Sequence, residues 1–188
     1  MNEVYFIGDI TMTSMADLVC ELKKQEKKAV AAYNAMKEDL PADRKTNVFV
    51  KVPAPEYIPI KLVLNSPGGQ VYAALFAIDE IARMTVPVHT YISGYCASAA
   101  TLLALAGKKR YISKHSYMLI HEVRAGCWGK KSSVTDDYEN ISKLSELLTD
   151  LYAEKTKMTR EELPAILERD RNWDAKECLE KGLVDEIL

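Results

Sequence analysis

Histidine is scarce in this chain, with three in 188 residues, and long apolar runs, paired cysteines and an excess of one charge are all lacking. No stretch approaches the ~18 apolar residues of a membrane span. Met1-Asn2-Glu3-Val4-Tyr5 also lacks the basic stretch and apolar core of a secretory leader, so neither membrane insertion nor export is expected. The four cysteines, Cys20, Cys96, Cys127 and Cys178, form no C-x-x-C pair. That excludes the usual zinc spacing, speaks against a disulfide framework, and suits reduced thiols in the cytoplasm. A net charge of -2 offers nucleic acid no basic footprint. No repeat or low-complexity segment interrupts the chain, and no metal or cofactor site is expected. What remains, 48% hydrophobic and 28% charged, is a length and composition for one domain, residues 1–188, with a substantial core.

The centre of the sequence is Gly94-Tyr95-Cys96-Ala97-Ser98-Ala99-Ala100-Thr101. Residues 86–92 are a β-branched and aromatic run that Gly94 is expected to end as a turn, and residues 99–106 form a helix with almost no polar face, which must be buried. Ser98 sits at their junction. It is either an ordinary helix cap or a nucleophile beside free backbone N–H groups. Residues 60–65, the turn Ser66-Pro67-Gly68-Gly69, a helix over about 71–84 and the strand at 86–92 make a β-α-β unit. The helix from Ala99 and a strand at 109–112 make a second, implying a parallel sheet with its ligand site near the strands' carboxyl ends.

Elsewhere, residues 4–7 read as a first strand, followed by a helix capped by Thr13 or Ser14 with Met15, Leu18, Val19 and Leu22 inward. The lysine run at 23–28 reads as a solvated face. Residues of about 37–59, rich in proline around Val48-Phe49-Val50, form an excursion, and residues 116–121 form a strand ending at His121. Gly126 and Gly129 suggest an extended arm before a long helix over about 135–157, with Ile141, Leu144, Leu147, Leu148 and Leu151 on one face. Capping boxes are expected at Thr159-Arg160-Glu161-Glu162 and Asp174-Ala175-Lys176-Glu177, and Gly182 is a helix stop.

With three histidines the search for a general base is short: His89 lies within a strand, His115 in a turn, and His121 ends a strand as Ser98 follows one. Serine attack needs a base within hydrogen-bond reach, an acid to orient it, and N–H donors for the oxyanion. Gly69 and Ala99 N–H groups are candidates for that donor pair. The glycine turn is not followed by Lys-Ser/Thr, which argues against phosphate binding. Among the acids, spacing alone leaves Asp136, Asp137, Asp170 and Asp174 open.

Five motifs, Asn65-Ser66-Pro67-Gly68-Gly69, Gly94-x-x-Ala97-Ser98-Ala99, Met118-Leu119-Ile120-His121, Glu168-Arg169-Asp170-Arg171 and Glu180-Lys181-Gly182-Leu183-Val184-Asp185, follow the order and approximate spacing of ClpP, the proteolytic subunit of the Clp protease. The chain resembles a divergent member of that serine peptidase family over about 4–188, with a disturbed stretch at about 23–59. The resemblance implies an α/β, crotonase-like fold of repeated β-α-β units with a protruding strand-helix handle at about 122–157. It implies Ser98 as nucleophile, His121 as base, Asp170 as orienting acid, and Gly69 and Ala99 as oxyanion donors. Substrate would lie as an added strand against Gly68, Gln70 and Val71 on one side and Val123, Arg124 and Ala125 on the other. Glu168 and Arg169 match a pair that joins rings. The implied assembly is a heptameric ring, stacked as a tetradecamer, that cleaves peptides or unfolded polypeptides in its chamber.

The same comparison marks departures. The chain starts almost at its first core strand, so the family's axial pore loops are expected to be missing or replaced, and it ends at Leu188 without the family's short extension. Lys61, Val63 and Arg83 stand where docking aromatics are expected, which argues against ordinary docking of an AAA+ unfoldase. Two other readings compete: a regulatory ring subunit that leaves cutting to others, and a crotonase-type acyl-CoA enzyme, which would not need the Ser, His and Asp set.

Overall fold

The computed structural model describes residues 2–38 and 56–188. Most of the expected excursion, including its extended segment at 48–50, lies outside the described residues. The described chain is a mixed α/β structure on a largely parallel sheet. Its strands are β1 (Glu3–Ile7), β2 (Ile60–Ser66), β3 (Val88–Ala97), β4 (Lys109–Ile112), β5 (Tyr117–Leu119), β6 (Asn172–Trp173) and β7 (Glu186–Ile187). The order is β1-β2-β3-β4-β7, with β5 on the end of β3 and β6 on β5. Ile60, Leu62, Leu64 and Ser66 of β2 lie on one face and are fully buried, whereas Lys61 is half-buried and Asn65 exposed on the other, so the sheet packs its core against one face.

Gly94 does not end β3. The strand passes through it at φ +98 and runs on to Ala97. On β2 Leu64 and Ser66 are two apart, while their partners Ile92 and Cys96 are four apart, so β3 bulges at this point. Side chains satisfy the bulge: Ser116 Oγ accepts from Gly94 N at 2.8 Å, and Asn65 Oδ1 accepts from Tyr95 N at 3.4 Å. Glycine is favoured because φ +98 strains any residue with a Cβ, which would also meet Asn65 Nδ2 at 3.0 Å. Below the bulge β3 pairs with β4, and above it with β5.

The first helix, α1 (Met12–Glu38), begins earlier than expected. Thr11 is its cap: Ser14 N donates to Thr11 Oγ1 at 3.1 Å and Thr11 N donates to Ser14 Oγ at 2.9 Å. Its stripe of Met15, Leu18, Val19 and Leu22 is buried as expected. Helix α2 (Val71–Ala82) packs against it, and α3 (Ala99–Leu105) is buried at every residue. Two short helices follow the long one, α5 (Leu163–Leu167) and α6 (Ala175–Lys181). The capping box at Asp174 is complete, with Gly182 in the left-handed conformation as the stop. At Thr159 only a turn forms, with Glu162 N donating to Thr159 Oγ1 at 3.2 Å.

Two expectations about the handle change. Residues 122–128 pair with no strand among the described residues, so the handle lacks its strand; Gly126 and its exposed neighbours have no edge to join. The long helix α4 (Lys131–Lys155) buries only Leu148, Thr149 and Tyr152. Leu147, expected on the inward stripe, is 45% exposed, because nothing else in the described chain covers that part of α4. Among the described residues no helix is long and apolar enough to cross a membrane.

Candidate active site

Strand direction brings the three candidate residues to one place. β3 and β5 are parallel, so Ser98 just after β3 and His121 two residues after β5 emerge at the same end, tied by Ser98 N donating to Leu119 O at 2.8 Å. β6 is antiparallel to β5, with Leu119 opposite Asn172, so Asp170 just before β6 arrives at that end too. His121 Nε2 lies 2.8 Å from Ser98 Oγ, and His121 Nδ1 lies 2.9 Å from Asp170 Oδ1. An ionised carboxylate only accepts, so Nδ1–H donates to Asp170 and leaves Nε2 to accept from the serine hydroxyl.

Ser98 is not an ordinary cap. Its hydroxyl makes no capping bond, and at φ +55 it is the only non-glycine residue with positive φ among the described residues. Such a backbone costs on the order of 1–3 kcal/mol and persists only where the surroundings impose it. Here they do. Ser98 O accepts from Thr101 N at 3.0 Å and from Thr101 Oγ1 at 2.6 Å.

The glycine turn presses on the Ser98 backbone. A Cβ on Gly68 (φ +103) would lie 2.6 Å from Ala97 O and 2.8 Å from Ser98 Cβ; one on Gly69 (φ +144) would lie 2.3 Å from Ile10 O. Ile10 straps the turn, donating to Gly68 O at 2.8 Å and accepting from Gln70 N at 2.9 Å. Only glycine fits either position.

Asp170 is exposed, yet its carboxyl is held below the usual carboxylate range, first by the hydrogen bond from His121 and then by Arg124, against some desolvation. Arg124 donates to Asp170 Oδ2. The neighbouring Arg169 and Arg171 do not pair with it; Arg171 binds Glu177 at 2.5 Å. Tyr95 Oη donates to Asn172 Oδ1 at 3.0 Å, bracing the segment that carries Asp170.

Beside Ser98 is a pocket of about 190 Å³ whose lining includes Gly69, Val71, Ala99, Val123 and Arg124. Gly68 stands behind Ser98 instead of lining it, and Gln70 Oε1 accepts from Met12 N at 3.2 Å. Ala125 is exposed outside it. Glu168 and Arg169 are exposed and form no ion pair among the described residues. Leu102, Leu148 and Tyr152 complete the apolar wall; sequence reasoning placed Leu148 on the apolar face of the long helix but assigned none of the three to the site. A larger cavity, about 540 Å³, is lined by Ile78, Leu105, Arg110, Leu151 and Asp185 but contains neither Ser98 nor His121. Chemistry, not size, marks the site.

The other histidines are elsewhere. His89 packs near Tyr111, with ring centroids 6.1 Å apart, and burial lowers its pKa; His115 is an exposed turn residue. On the same sheet face Lys61 pairs with Glu3 at 3.0 Å and lies 4.9 Å over the Tyr91 ring, which stacks on Tyr111 at 4.5 Å. The rings on this face come from β3 and β4.

Comparison with known proteins adds sequence relationships to this geometry. The pattern of the Clp protease family matches residues 27–188. The chain is 35% identical over 134 residues, 69% of its own length and 70% of the relative's, to the ATP-dependent Clp protease proteolytic subunit 1 of Chlamydia abortus (strain DSM 27085 / S26/3). A family match over most of the chain, joined to that identity across two thirds of both proteins, makes this chain a member of the Clp protease family.

Proposed function

We propose that the chain is a serine-type endopeptidase that hydrolyses peptide bonds through Ser98, His121 and Asp170. The observation that carries this reading is the continuous hydrogen-bond chain from Ser98 Oγ through both His121 nitrogens to Asp170. Ser98 Oγ attacks the scissile carbonyl carbon as His121 Nε2 takes its proton, while Asp170 stabilises the imidazolium. Gly69 and Ala99 N–H groups receive the oxyanion. His121 then returns the proton to the leaving amine, and water repeats the sequence to free Ser98. The substrate lies as an added strand between residues 68–71 and 123–125, held by main-chain hydrogen bonds, so selectivity resides mainly in the small apolar pocket.

The same reading takes residues 1–188 as one domain of crotonase-like fold, assembled as heptameric rings stacked in a cytoplasmic tetradecamer. The stripe of α4 that is uncovered, and Glu168 and Arg169 that form no ion pair, among the described residues suit surfaces buried between rings. An AAA+ unfoldase would meet Lys61 and Arg83 already engaged by Glu3 and Glu80, which supports a different feeding mode.

The test is intact-mass analysis after treatment with a fluorophosphonate, with peptide mapping. One adduct at Ser98, absent in Ser98→Ala of unchanged assembly size, is expected. A folded assembly that takes no adduct, or Ser98→Ala that still hydrolyses peptides at the wild-type rate, overturns the reading.

A further inference from the structure

We propose that Tyr152, acting through Thr101, is a positioning residue for the nucleophile, so that the end of α4 sets the geometry of the Ser98 turn; this rests on the peptidase reading. Thr101 has one hydroxyl proton, and it is committed to Ser98 O at 2.6 Å. Tyr152 Oη lies 2.6 Å from Thr101 Oγ1 and must therefore be the donor of that bond. The result is a directed chain: Tyr152 O–H donates to Thr101 Oγ1, and Thr101 O–H donates to Ser98 O.

The Tyr152–Thr101 link is buried, and the Thr101–Ser98 link is part-buried. Thr101 is fully buried and Tyr152 is 3% exposed. Burial pushes the Tyr152 phenol far above its ordinary range, outweighing the Thr101 bond, so it stays protonated and remains a donor. Without Tyr152 the Thr101 hydroxyl is free to turn, and one of the two bonds that hold Ser98 O weakens. Ser98 is the residue that most needs such a hold, being the one non-glycine at positive φ among the described residues. Tyr152 is also one of three α4 residues that are buried, and its ring closes the pocket beside Ser98. A single side chain on the helix thus lines the pocket and, through Thr101, reaches the backbone that aims the nucleophile.

Tyr152→Phe keeps the ring and pocket but removes the donor; Thr101→Val removes the link from the other side, and Thr101→Ser restores it. The measurements are the rate of Ser98 labelling by a fluorophosphonate, kcat and KM for a fluorogenic peptide, preference at the residue preceding the scissile bond, and assembly size. For Tyr152→Phe and Thr101→Val, kcat and labelling should fall about five- to thirtyfold, the effect of one buried hydrogen bond. KM and side-chain preference should hold, and Thr101→Ser should retain most of the activity. Wild-type kcat in an assembled Tyr152→Phe overturns the inference while leaving the peptidase reading intact. If Tyr152→Phe does not assemble, wild-type kcat in Thr101→Val overturns it equally. Wild-type protein that neither labels nor hydrolyses overturns both.

Discussion

Gly68→Ala isolates the close approach that shapes the Ser98 turn. The added methyl would lie 2.6 Å from Ala97 O, 2.8 Å from Ser98 Cβ and 3.1 Å from Ala99 N, none of them the end of a flexible side chain. Relief to ordinary contact, about 3.4 Å, requires the Ser98 turn to retreat by roughly 0.6–0.8 Å. Holding alanine at φ +103 adds about 1–3 kcal/mol of backbone strain. Overpacking adds about 1–3 kcal/mol more. Near the middle of that sum, about 4 kcal/mol, a chain of this size loses about 8–16 °C in Tm. Gly8→Ala is the control. It stands at φ +116 with nothing within 4 Å of its Cβ, so it carries the strain alone and should lose about half as much. A retreat of this size moves Ser98 Oγ out of line with substrate and His121, and fluorophosphonate labelling should fall by about 10- to 100-fold in Gly68→Ala. The assays are thermal denaturation of both variants and labelling rate. Equal melting losses in the two variants, with wild-type labelling in Gly68→Ala, would refute the steric argument.

Asp170→Asn should cost several orders of magnitude in peptide turnover, because the amide cannot hold the His121 tautomer. Since the Asp170 pKa is depressed in the fold, its stabilising contribution is complete above the ordinary carboxylate value of about 4 and is lost as pH falls through the depressed value. The urea midpoints of wild type and Asp170→Asn should therefore differ by a constant amount at neutral pH and converge in acid; a gap that widens in acid contradicts the assignment. Arg124→Gln breaks an exposed ion pair, so stability should change by less than about 1 kcal/mol. Its turnover should fall about two- to tenfold as Asp170 loses its second brace, and a melting loss without a rate loss would show Arg124 to be only a surface partner. Asp174→Ala removes a complete capping box and should cost about 0.5–2 kcal/mol in chemical denaturation.

What the sequence made legible was local. A strand run before Ser98, a helix with almost no polar face after it and glycines before α2 are patterns that backbone chemistry writes within a few residues; the helix and the glycine turn lie where they were read, and the strand does so up to Gly94, which it passes through. The inward stripe of α1 and the cap at Asp174 were legible for the same reason. Asp170 was not. Acids are common, and the element that delivers this one is β6, a two-residue strand whose pairing with β5 has no sequence signature. Only the family motif singled it out. Tyr152 was hidden too, because its partner Thr101 is 51 residues away and a tyrosine near the end of a long helix reads as ordinary packing. Along α4, periodicity showed the apolar face but not what covers it, which is a property of neighbours and not of the helix.

The bulge in β3 explains why reading Gly94 as a turn fell short and why the site exists. Had the strand stopped there, β4 would still have paired with its first half, but β5 would have had no edge to join. His121 would then have no reason to emerge beside Ser98. By passing through a left-handed glycine, with Asn65 and Ser116 taking up the displaced N–H groups, one strand serves two partners in succession. β4 anchors the sheet to the chain's C-terminal strand β7, and β5 carries the histidine. The backbone irregularity and the meeting of Ser98 with His121 are thus one feature: the strand must shift register before it can deliver the serine next to the histidine.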